Sequence, residues 1–106
     1  MDIDTELFHR DCQVSTSDGA LSALTVRFFS PVKNPSDTDY LARANISCPF
    51  FDKDVYATGE DAPQAFFSLP YIVTSYLIGQ RRYGYETYWG ERGDLDLADF
   101  WTYRST

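Results

Sequence analysis

Apolar and polar positions alternate along two stretches in the first half of the chain. Between residues 39 and 48, the even-numbered side chains form an apolar series, and Leu41, Arg43, Asn45 and Ser47 occupy the other positions. That series is Tyr40, Ala42, Ala44, Ile46 and Cys48. The stretch 21–30 has the same character, with Leu24, Val26 and Phe28 on one side. Because successive side chains of a strand point to opposite faces, both stretches are predicted to be half-buried strands.

The segments around these strands predict an antiparallel meander. Residues 31–37 are polar, contain two prolines and are expected to form a hairpin loop between the two strands. Upstream, residues 5–14 form a third strand candidate, which is followed by a Ser-Thr-Ser-Asp-Gly turn signal at 15–19. Three consecutive strands with short connections favour antiparallel pairing.

The period of the pattern becomes helical at Asp61. Asp61 is placed to cap the first turn, with Pro63 inside that turn and Gln64 in the capping-box position. Apolar residues then recur every three or four positions: Ala62, Ala65, Phe66, Leu69, Val73, Tyr76 and Leu77. We predict a helix over residues 62–78 that ends at Gly79. Pro70 predicts a kink or two short helices.

The fold class that follows is α+β. We predict an antiparallel sheet of about five strands with one main, Pro-kinked helix packed on one face, in a single domain covering residues 1–106. Phe66, Leu69, Val73 and Leu77 are expected to be buried against the sheet. In the second half, Tyr83, Tyr85, Thr87 and Trp89 are expected on one face of a strand, and a short strand at 97–103 would complete the sheet.

Composition narrows the kind of partner. Aromatic residues make up 17% of the 106 residues, so rings are expected to form much of the core. Sixteen acidic and nine basic residues give a formal charge of -7, which favours basic proteins or cations as partners and disfavours nucleic acid and anionic lipid. The N-terminus does not resemble a signal peptide, and no apolar run reaches the roughly 20 residues of a membrane span. We therefore expect a cytoplasmic protein.

The residues that could carry chemistry do not form a recognisable catalytic or metal site. Cys12 and Cys48 are expected to be buried thiols rather than a disulfide. His9 and Cys12 would point to opposite faces of a strand, and the chain has one histidine, which argues against zinc. The acidic run at 93–99 lacks the central glycine and the final glutamate of a calcium loop. We predict no enzyme, no metal and no cofactor.

Aromatic rings and carboxylates alternate between residues 83 and 103. Tyrosine and tryptophan provide stiff contact area at protein interfaces, and carboxylates attract a basic partner. This stretch is therefore a candidate partner-binding face, formed by Tyr85, Glu86, Tyr88, Glu91, Asp94, Asp96 and Asp99.

Two segments resemble a family of small bacterial domains. One is Gly59-Glu-Asp-Ala-Pro-Gln-Ala at the start of the helix, and the other is Trp89-Gly-Glu-Arg-Gly-Asp-Leu after the strand. The resemblance covers about the second half of the chain, and the family it points to is similar to immunity proteins. It implies a fold and a bacterial origin, and it carries over no catalytic residue.

Two classes of function are compatible with these observations. The first is an immunity or inhibitor protein that neutralises a basic bacterial toxin or nuclease by covering its active site. The alternative is a small enzyme or ligand-binding domain whose cleft is lined by Tyr83, Tyr85, Trp89 and Trp101. A bound metabolite would favour the alternative.

Overall fold

The computed structural model describes residues 5–35 and 38–88, and it is an antiparallel sheet with a helix packed on one face. The strands are β1 (Glu6–Ser15), β2 (Leu21–Phe29), β3 (Val32–Lys33), β4 (Tyr40–Cys48), β5 (Phe51–Gly59) and β6 (Glu86–Tyr88). Helix α1 (Ala62–Gly79) is followed by a 3-10 turn, Gln80–Tyr83. The predicted α+β class, with one main helix on an antiparallel sheet, is confirmed.

The sheet is an antiparallel meander, and β6, the last strand described, adds to it at the β1 edge. Strands β1, β2, β4 and β5 pair consecutively and antiparallel, as predicted for the first three. β3 lies within the stretch predicted as a loop and pairs with the start of β4, Val32 opposite Leu41. β6 pairs with β1. The helix therefore carries the chain across one face, from the β5 edge to the β1 edge.

Strand β5 was not predicted, because its sequence alternates poorly. Only Val55 and Ala57 are buried, whereas the segment Asp52-Lys-Asp54 is exposed. The nine-residue ladder with β4, from Tyr40 opposite Gly59 to Cys48 opposite Phe51, holds this strand in place. Backbone pairing therefore decides the conformation where side-chain pattern does not.

The predicted strand after the helix is shorter than expected. Tyr83 belongs to the 3-10 turn, and Gly84 follows it with a φ of 87°, a left-handed conformation that suits glycine. Only Glu86, Thr87 and Tyr88 form the strand. Trp89 and the predicted strand at 97–103 lie outside the described residues.

Helix α1 begins as its sequence predicts. The Asp61 carboxylate accepts a hydrogen bond from the Gln64 backbone N–H at 2.7 Å, and Pro63 lies in the first turn. The Gln64 side chain accepts from the Glu60 backbone N–H at 2.5 Å, one residue earlier than in the usual capping box. The helix is continuous through Pro70, so the chain does not divide into two short helices there.

The core lies between the helix and the sheet. Ala65, Leu69, Val73 and Leu77 are buried on the helix, against the even-numbered side chains of β1, β2 and β4. The expectation of burial is thus confirmed for three of the four predicted positions. Phe66 is only partly buried, because it lies at the border of the core, where its ring is 6.0 Å from those of Phe8 and Phe28.

Gly59 allows the end of β5 to approach the first turn of the helix. A Cβ atom at this position would lie 2.4 Å from the backbone nitrogen of Ala65 and 2.9 Å from the carbonyl carbon of Gln64. A side chain therefore cannot be added without moving one backbone relative to the other. This contact gives a physical reason for the glycine that opens the Gly59-to-Ala65 motif.

Candidate protein-interaction site

Four rings form a cluster at the C-terminal end of the helix, which we call the end cluster: Phe50, Phe51, Tyr76 and Tyr85. Phe50 stacks on Tyr85, with centroids 5.1 Å apart and planes 10° from parallel. Phe51 lies 5.7 Å from both Tyr76 and Tyr85. The end cluster thus joins the β4–β5 turn to the segment that enters β6.

The end cluster is accompanied by ring surface that faces solvent. Phe50 is 38% exposed, and Tyr83, in the neighbouring 3-10 turn, is 64% exposed. The guanidinium of Arg82 lies 5.4 Å from the centre of the Tyr83 ring. This end of the molecule therefore presents aromatic contact area together with charged groups.

One of the predicted partner-binding residues, Tyr85, belongs to the end cluster, and a second, Glu86, follows it in the sequence. Tyr85 is half-buried, and its backbone N–H donates to the Gln80 carbonyl at 3.2 Å. Glu86 is exposed at the start of β6, opposite Ser15 of β1. Both can contribute to a surface at the end of the helix.

Tyr88 does not contribute to an exposed face, because its side chain is only 1% exposed. It pairs with Gln13 of β1, whereas Thr87 pairs with Val14 on the side of the sheet that carries the core. The Tyr88 hydroxyl and the Thr87 Oγ1 atom are buried without a hydrogen-bond partner in the described part of the chain. Spacing of rings and acids in the sequence could not distinguish this buried ring from an exposed one.

The other four predicted residues, Glu91, Asp94, Asp96 and Asp99, lie outside the described residues. Among the described residues near the end cluster, Arg81 and Arg82 offset Glu86 and Asp18. The prediction of an acidic excess therefore rests on sequence positions beyond residue 88 and not on these described residues.

An open pocket with a volume of about 690 Å³ lies beside Tyr85 and Glu86. The β1–β2 turn, residues 16–19, forms one side, and Arg81, Gly84, Tyr85 and Glu86 form the other. In the turn, the Thr16 hydroxyl donates to the Asp18 carboxylate, which also accepts from the Ala20 backbone N–H at 3.1 Å. These hydrogen bonds lower the pKa of Asp18 and keep it ionised.

The sheet face that points away from the helix carries a network of paired charges that the sequence did not reveal. The Asn45 amide donates to Asp52 at 2.7 Å and to Asp54 at 2.9 Å, and Arg43 lies 3.4 Å from Asp54. On the neighbouring strands, Arg27 lies 3.4 Å from Glu6. Glu6 and Asp54 on this face have arginine partners, and Asp52 accepts from an amide, so these three carboxylates offer less attraction to a basic protein than unpaired carboxylates would.

The Cys12 thiol lies in the core, and His9 lies on the opposite face of β1. Cys12 is buried, and burial raises the pKa of its thiol to about 12, so it is protonated at neutral pH. His9 is exposed on the opposite face, where Nδ1 lies 3.4 Å from Glu6. Cys12 and Cys48 are both free thiols. In residues 5–35 and 38–88, no three metal-ligating side chains form a group that could hold a metal ion.

Within the same ranges, none of the helical structure has the length and apolar character required to cross a membrane. No protein-family model matches the sequence, and the searches of curated proteins and of solved structures likewise return no significant match. The resemblance to a bacterial domain family stays a prediction.

Proposed function

We propose that this chain is a small acidic protein-binding domain that acts in the cytoplasm as an immunity or inhibitor protein against a basic toxin or nuclease. The observation that carries the proposal is the ring surface at the end of the helix, Phe50, Tyr83 and Tyr85, directly beside Glu86. This surface precedes the acidic stretch of a chain whose formal charge is -7.

The two features would serve different stages of binding. Rings that are partly exposed and held by stacking lose little conformational entropy when a partner covers them, so they suit the role of anchors. Negative charge attracts a cationic partner and raises the association rate. Glu86 is the described member of the acidic set, and Glu91, Asp94, Asp96 and Asp99 are its members from the sequence.

The direct test begins with a basic toxin-like domain encoded next to this chain. Co-expression should protect the host from that domain, and the purified proteins should form a complex. Association should slow as salt rises to 0.15 M, where the Debye length is about 8 Å. Full toxicity in the presence of this chain, with no complex between the purified proteins, would contradict the proposal.

Two variants that each remove one negative charge test whether association depends on this surface or only on the net charge of the protein. Glu86→Gln should slow association more than Asp39→Asn, because Asp39 lies before Tyr40, at the opposite end of β4 from the end cluster. β4 has nine residues, so the two ends are about 30 Å apart. Equal effects of the two variants would show that only the net charge matters.

Removal of an exposed ring should change the dissociation rate rather than the association rate. Tyr83→Ala should accelerate dissociation and leave the melting temperature nearly unchanged, since Tyr83 is 64% exposed. Joint replacement of Asp94, Asp96 and Asp99 by Asn should lower the association rate. An unchanged rate at low salt would place the contact elsewhere.

The pocket beside Tyr85 favours one alternative, a ligand-binding domain. Its lining combines Arg81, Asp18 and Glu86 with the Tyr85 ring, which suits a small zwitterionic or cationic molecule better than an apolar one. A metabolite that copurifies with the protein and is lost in an Arg81→Ala variant would support this alternative over the inhibitor.

A further inference from the structure

Helix α1 has a second apolar stripe, which faces solvent. Phe67 is 68% exposed, Tyr71 is 78% exposed and Ile78 is 43% exposed. The spacings of four and seven residues place these side chains on one side of the helix. The opposite side, with Leu69, Val73 and Leu77, packs on the sheet. We call the exposed side chains the outer stripe.

The helix carries no charged residue between Ala62 and Gly79. Surface helices of acidic proteins normally place charges on their solvent side, so an uncharged outer stripe with two exposed rings is unusual. On a chain with a formal charge of -7, it is also a face where two identical molecules could approach without like charges meeting.

Charged residues stand at both ends of this helix, with opposite signs. Glu60 and Asp61 precede it, and Arg81 and Arg82 follow it, and all four are exposed. Tyr71 lies midway: it is ten positions from Asp61 and from Arg81, and eleven from Glu60 and from Arg82. If two copies pack antiparallel about a two-fold axis at Tyr71, the acidic end of each meets the basic end of the other.

We propose that the outer stripe is a homodimer interface, in which the α1 helices of two copies pack antiparallel about Tyr71. In this register Phe67 of one copy faces Ser75 of the other, so a large side chain meets a small one. Glu60 and Arg82 form one interchain ion pair on each side of the axis. A two-fold arrangement uses the same surface on both copies, as this self-complementary pattern requires.

The outer stripe is small for a protein interface. A large aromatic side chain has about 150–250 Å² of area, so Phe67 and Tyr71 together expose about 300 Å² per copy. A stable interface of standard size buries about 800 Å² per partner. Ile78 and the flanking Gln64 and Ser75 add to the rings, and the total stays below the standard size, so we expect a weak dimer that forms at high protein concentration.

Sedimentation velocity between about 1 and 200 µM, together with charge reversal, tests the proposal. Glu60→Arg and Arg82→Glu should each raise the dimer Kd at least threefold, because each variant places like charges opposite one another. The double variant restores both pairs with exchanged signs and should return the Kd to within threefold of wild type. A folding defect would not be repaired in this way, and melting temperatures check the fold of each variant.

Cross-linking fixes the register. Tyr71→Cys would place two thiols at the axis, so mild oxidation should give a disulfide-linked dimer that wild type does not form. Tyr56→Cys is the matched control, because Tyr56 is 52% exposed on β5 and points away from the helix-bearing face. A monomer at 200 µM would overturn the proposal. A dimer whose Kd is unchanged by either charge reversal and that does not cross-link through position 71 would overturn it as well.

Discussion

Substitution of Gly59 by alanine tests the close approach of β5 to the first turn of the helix. The added Cβ would lie 2.4 Å from the Ala65 nitrogen and 3.0 Å from the Ala65 Cα, both of them backbone atoms at the start of the helix. The usual separation of such atoms is above 3.4 Å, so β5 and α1 must move apart by about 1 Å. Overpacking of this kind costs about 1–3 kcal/mol, occasionally more. The melting temperature should therefore fall by about 5–20 °C.

Two other glycines provide controls for the same substitution. At Gly79, the added Cβ of alanine meets only the end of the Arg82 side chain, at 3.7 Å, and Gly79 has a helical φ of -60°, so Gly79→Ala should be neutral or stabilise by up to about 1 kcal/mol. At Gly84 there is space for a Cβ atom, but the φ of 87° is unfavourable for alanine, so Gly84→Ala should lower the stability of the fold. Urea unfolding of the three variants measures their free energies of unfolding and so ranks their stabilities. A Gly59→Ala protein within 0.5 kcal/mol of wild type would refute the reasoning from the close approach.

Three further predictions follow from the core and the helix start. Leu69 is fully buried, so Leu69→Ala should lower the free energy of unfolding by about 2–5 kcal/mol, and an unchanged urea midpoint would contradict its place in the core. Asp61→Ala removes the helix cap and should lower the free energy of unfolding by about 0.5–2 kcal/mol, whereas Asp61→Asn should retain most of the capping stabilisation. The pKa of Cys12 is raised from 9.0 to about 12, so the folded state holds a neutral thiol while the unfolded chain ionises. Stability should therefore fall above pH 9 by up to about 1.4 kcal/mol per pH unit, and Cys12→Ala should reduce that slope.

The parts of the fold that the sequence predicted are those where side-chain pattern and backbone preference agree. β2, β4 and α1 combine clear periodicity with turn or capping residues at their ends, and their predicted bounds lie within about one residue of the structure. β5 alternates poorly because Asp52, Lys53 and Asp54 are exposed at its start, and its position depends on pairing with a strand nearby in the sequence. Such pairing has no local signal.

The candidate site was less predictable, because exposure of a ring depends on what packs around it. Tyr85 and Tyr88 occur in the same aromatic stretch, yet one borders the surface and the other is buried. The outer stripe was missed for the same reason: Phe67 and Tyr71 fall outside the buried stripe that the periodicity identified. The absence of charge from residues 62–79 is the sequence signal that could have indicated a second apolar face.

The two proposed surfaces meet at the C-terminal end of the helix, and this proximity predicts that they influence one another. Arg82, which would pair with Glu60 of a second copy, precedes Tyr83, which would anchor the basic partner, and its guanidinium lies 5.4 Å from that ring. A basic partner bound at Tyr83 would repel Arg82, which the dimer needs for its pair with Glu60 of the second copy. Dimerisation and partner binding should therefore oppose each other, and by thermodynamic linkage each should weaken the other by the same factor. Measuring partner affinity for the Tyr71→Cys disulfide dimer and for the reduced monomer tests this coupling. Equal affinities would show that the two surfaces act independently.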